Sequence, residues 1–91
     1  MRQTMTDEPR EALEAILHEI RDMFADMHAA RRKIQALKEH FQKQRLTGTI
    51  SRFRYDVEVN DLQRLEQTME AQWVRLQQQR SRALEKLRRL A

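Results

Sequence analysis

No cysteine occurs in the 91 residues, glycine and proline occur once each, and aromatics make up 5%. Without cysteine there is no disulfide framework and no thiolate metal site, which fits a reducing, cytoplasmic setting. One glycine and one proline describe long helices with little loop. Long apolar runs are missing too. No stretch approaches the length needed to cross a bilayer, and no leader pattern opens the chain, so no membrane association is expected. The length allows one domain at most, and a short one for a globular core.

What is present is periodicity. Leu13, Ile16, Ile20, Met23, Met27, Ala30, Ile34, Leu37 and Phe41 alternate three and four residues apart without a break. That spacing marks the a/d seam of a left-handed coiled coil. A second seam runs through Leu62, Glu66, Met69, Trp73, Leu76, Arg80, Ala83, Leu87 and Leu90. Folding the chain back sets Ile20 against Ala83, Ala30 against Trp73, Ile34 against Met69 and Phe41 against Leu62. Large side chains then meet small ones at Trp73/Ala30 and Ile20/Ala83, as interdigitated packing requires. Arg80 and Glu66 are polar intrusions that can fix register at some cost in stability.

The charges are sorted in blocks that agree with this fold-back. The net charge is +4 overall, but residues 1–30 carry −4, 31–54 carry +7, 55–72 carry −4 and 73–91 carry +5. An antiparallel hairpin lays each block on one of opposite sign, so most of the charge is expected to pair internally.

Local signals divide the chain further. Residues 1–7 read as a flexible tail, with Asp7 as N-cap and Pro9 in the first turn of a helix over 8–46. Thr47-Gly48 stops that helix, since Gly48 alone takes the left-handed conformation freely. From 49 to 59 the period changes to two: Phe53, Tyr55, Val57 and Val59 alternate with Arg54, Asp56 and Glu58. This predicts an extended connector over 47–59. Asn60 with Gln63 forms a capping-box pair that starts a second helix over 60–90.

Candidate sites lie off the seam. Leu17, Phe24 and Leu84 form a second apolar strip, the natural place for a partner helix to add. Arg52, Phe53, Arg54, Tyr55 and Val57 mark the tip as a recognition segment. Arg31, Arg32, Lys33 and Lys38 join Arg52 and Arg54 in a basic patch with adjacent aromatics, the combination that neutralises phosphates and stacks on bases. His18, His28 and His40 do not share one helix face as metal ligands would, so they read as solvated surface residues. The basic face of Arg82, Lys86 and Arg89 suits an anionic membrane, but the leucines opposite it are needed by the seam. The seam is too apolar and narrow to hold a substrate. No catalytic set, metal, cofactor or small-molecule substrate is therefore expected.

The sequence thus predicts an all-α protein: an antiparallel two-helix coiled-coil hairpin, dimerising into a four-helix bundle, with an extended tip. The function expected is that of a non-catalytic protein-interaction module in the cytoplasm, such as a small bacterial adaptor, secretion-associated chaperone or regulator. The alternative is a nucleic-acid-associated accessory protein using the basic tip.

Overall fold

A computed structural model describes the backbone of residues 2–90 and the side chains of residues 8–90; Met1 and Ala91 lie outside the described residues. Two helices, α1 (Arg2–Leu46) and α2 (Arg52–Leu90), pack against each other as a hairpin. Their antiparallel sense follows from the ion pairs that join them: Arg31 meets Glu70 and Lys38 meets Glu66.

α1 begins earlier than the capping signals predict. Residues 2–7, the span expected as a tail, are helical, and Asp7 sits inside the helix rather than at its N-cap. Pro9 lies within the helix too. Its φ is compatible with a helix, but it removes one backbone donor and its ring crowds the carbonyl four residues back, which disfavours the turn before it. The C-terminus of α1 ends as expected. Gly48 has φ of 73°, the Thr49 N–H donates to the Gln44 carbonyl (2.8 Å), and the Gly48 N–H donates to the Arg45 carbonyl (3.1 Å). Together these two bonds make a Schellman cap, which satisfies carbonyls that the helix itself leaves open.

α2 also begins earlier, and here the extended connector over 47–59 is corrected: only 47–51 is non-helical. Ser51 is the N-cap, its Oγ accepting from the Arg54 N–H at 3.1 Å. Alternation over seven residues is a weak strand signal, and residues 52–59 have no strand partner. As helix, they place Tyr55 seven and Val59 three residues ahead of Leu62, which extends the α2 seam by nearly two turns. The Asn60 and Gln63 pair caps nothing, because α2 runs straight through it.

The packing divides into two units, Met27–Gln72 and Met1–Asp26 with Trp73–Ala91. In the first, Ile34, Leu62 and Met69 are buried, with Met27, Ala30 and Phe41 packed against them. Two of the four expected pairs, Ile34 with Met69 and Phe41 with Leu62, fall in this cluster. Glu66 is answered by Lys38, a pair only partly shielded from water. In the second unit Ile20, Phe24 and Ala83 are buried. Trp73 meets the ring of Phe24 edge-on, with centroids 4.5 Å apart. Arg80 lies over the other ring partner, 5.0 Å from the Phe24 centroid, rather than reaching for an aspartate.

Candidate functional site

The tip is built from the end of α1, the 47–51 turn and the first turn of α2. Part of its backbone is held internally. Besides the Schellman cap and the Ser51 cap, the Thr47 hydroxyl lies 3.0 Å from the Lys43 carbonyl and 2.8 Å from the Thr49 hydroxyl. Ile50 is half-buried, but two of the tip's large apolar side chains are not covered. Leu46 and Phe53 are each 79% exposed. In contrast, Tyr55 is half-buried, with the Arg45 guanidinium 4.9 Å from its ring centroid. Consecutive helical positions are about 100° apart, so Phe53 and Tyr55 diverge instead of sharing the one face an extended segment would give them. Val57 is 41% exposed and Arg52 exposed, while Arg54 pairs with Glu58 at 3.4 Å.

The predicted apolar strip is not brought together as drawn. Phe24 belongs to the hairpin's own core and Leu17 is half-buried, whereas Leu84 is open. On α1, burial alternates between the a positions Ile20 and Ile34 and residues four further on, Phe24 and Lys38. The expected d positions Ile16, Met23 and Leu37 are left between 44% and 47% exposed. The bulk of Phe24 explains part of this rotation, since its ring fills the place opposite Trp73. The apolar side chains available outside the core are therefore Ile16, Met23, Val74, Leu84 and Leu90 in one unit. In the other they are Leu37, Leu46, Phe53, Val57 and Leu65.

The basic patch is also partly consumed. Arg31 and Lys38 face Glu70 and Glu66 across the hairpin, leaving Arg32, Lys33 and Arg52 exposed. Near the C-terminus Glu85 takes both Arg88 and Arg89. His18, His28 and His40 are exposed, and no three metal-ligating side chains cluster among the described residues. A depression lined by Arg31, Gln63, Glu66, Gln67 and Glu70 contains its own charge pairing. Neither helix is long and apolar enough, over its described residues, to cross a membrane.

Two features escaped the sequence reading. Leu46 lies five residues beyond Phe41, on the outer face of the last turn, and an apolar residue off the seam beside a helix stop is the signal that marks it. The exposed d positions had no such signal, because a/d and a/e burial differ by only one residue in seven. Set against known proteins, the chain matches no family model, no curated protein and no solved structure.

Proposed function

We propose that the protein is a non-catalytic interaction module, a small adaptor, chaperone or regulator, whose hairpin adds helices from a second copy to form a four-helix bundle. The observation that carries this reading is the set of half-exposed apolar residues beside the core, Ile16, Met23 and Leu84 above all. Charged side chains suffice to solvate a helix flank, and apolar residues recurring beside a seam mark a surface that works when covered. A lone two-helix hairpin also buries little for its length, which favours further helices.

Light scattering with Met23→Glu and Leu84→Glu tests the assembly. The unsubstituted protein is expected to measure as a dimer, and the double variant as a monomer of lower thermal stability. A monodisperse monomer at about tens of micromolar would overturn the four-helix bundle and leave only a heterologous partner. The nucleic-acid alternative is supported by the tip cations and weakened by the pairing of Arg31 and Lys38. A salt-dependent titration with DNA and RNA decides it, since phosphate binding weakens steeply with added salt.

A further inference from the structure

We infer that the turn between α1 and α2 docks onto anionic lipid surfaces, with Leu46 and Phe53 entering the interfacial layer and Lys43 and Arg52 holding the headgroups. This goes beyond the interaction role proposed above and does not rest on it. Three observations carry it. Leu46 and Phe53, at 79% each, are the most exposed large apolar residues among the described residues and bracket the turn on either side. From His40 to Tyr55 there is no acid, while Lys43, Arg45, Arg52 and Arg54 supply four cations. Arg45 is stacked on Tyr55 and Arg54 is paired with Glu58, so of these four Lys43 and Arg52 are the two with neither an ion pair nor a ring contact among the described residues.

The third observation is the backbone. Entering a poorly hydrated layer is penalised by every polar group left without a partner. Here the Gly48, Thr49 and Arg54 amides donate within the turn and the Thr47 hydroxyl has partners within it, which leaves the amides of residues 50–53, next to the exposed cation Arg52, as the polar groups that headgroups would have to answer. A turn flanked by exposed apolar side chains and cations suits a planar anionic surface, which needs no cavity to receive it. Nucleic acid is served less well. Stacking needs free rings, and of the two aromatics in the tip only Phe53 is free, Tyr55 being covered by Arg45. Leu46 offers a base nothing.

The test is sedimentation of the full chain with vesicles of phosphatidylcholine containing phosphatidylserine, against phosphatidylcholine alone and against oligothymidylate at the same salt. Binding is expected only to the anionic vesicles and to fall as salt rises. The pair Leu46→Ser and Phe53→Ser should weaken it about a hundredfold while leaving helicity intact. Lys43→Gln and Arg52→Gln should each weaken it about fivefold. No binding to anionic vesicles, or equal binding to neutral ones, would overturn the inference. So would binding that ignores the Leu46 and Phe53 changes, or tighter capture by oligothymidylate. Particle size in the same samples reports separately on the proposed dimer, so the two readings can fail independently.

Discussion

Phe24 and Phe53 are the same side chain in two helices, and the chain treats them oppositely. Phe24 is 8% exposed, edge-on to Trp73 and covered by Arg80, whereas Phe53 is 79% exposed beside a turn. Around Phe24 order comes from side-chain burial. Around Phe53 it comes mainly from hydrogen bonds to the backbone, through the Schellman cap and the Ser51 cap, with no buried apolar side chain in the turn. A segment ordered by its backbone can present apolar side chains without needing them for stability, which is the condition for using them elsewhere.

Alanine at each phenylalanine gives the widest contrast. Phe24→Ala removes a buried ring and its partner contacts, with an expected loss of about 3–5 kcal/mol, enough to unfold much of a small hairpin. Phe53→Ala is expected to fall within about 0.5 kcal/mol of the parent. Thermal unfolding followed by circular dichroism, at one fixed concentration, measures both. Equal losses would mean that the tip is packed in solution and that the contrast is false.

Gly48→Ala probes the backbone side of the comparison. A Cβ on Gly48 would have nothing within 4 Å, so the substitution meets no obstacle except its own φ of 73°. The expected loss is about 1–2 kcal/mol, smaller for Asn, which tolerates the left-handed region better. The same melts measure it. An unchanged midpoint for alanine would show that the turn adopts a second conformation and that the cap is not what orders it.

These contrasts also explain what the sequence disclosed. The a positions, the α2 seam, the Ile34 with Met69 pairing and the Thr47-Gly48 stop were legible, because each rests on a strong period or on a residue with one special conformation. The span 52–59 was not. Phe53, Tyr55, Val57 and Val59 alternate as a strand would, yet Tyr55 and Val59 also continue a helical stripe into Leu62, and only the opposite helix chooses between the two. Ser51 lacked the glutamate or glutamine three residues on that announces a capping box, while Asn60 had its glutamine and caps nothing. For the site, Arg52 and Phe53 were placed on an accessible tip and are exposed there, but Tyr55 was not separable from Phe53 without knowing the period.

Arg80 and Arg52 sharpen the comparison at a smaller scale. Arg80 occupies a seam position and is accommodated by the face of Phe24, so Arg80→Ala should lose about 0.5–1 kcal/mol through the cation–π contact and the covered ring. Denaturant unfolding resolves a change of that size when the midpoint moves at constant slope. A gain in stability instead would show that Arg80 is a tolerated intruder in the seam rather than a partner of Phe24.

Arg52 has the opposite expected sign. It is the first residue of α2, Arg54 is the third, and no acid lies in that first turn. The N-terminal end of a helix carries partial positive charge, so cations there are disfavoured and a carboxylate is favoured. Arg52→Glu is therefore expected to raise stability by about 0.3–1 kcal/mol, and Arg52→Gln by a smaller amount, since it removes the repulsion without adding the attraction. The gain should shrink with added salt, because both the residue and the helix end are open to solvent. Ser51 keeps its cap in either variant, so the effect reads the charge alone. Denaturant melts at low and high salt give the sign directly. If Arg52→Glu instead lowers stability, the arginine supports the hairpin, and its position at the tip is accounted for without any anionic partner. A gain would mean that the cation stands there against the preference of its own helix, which folding does not explain and an anionic surface does.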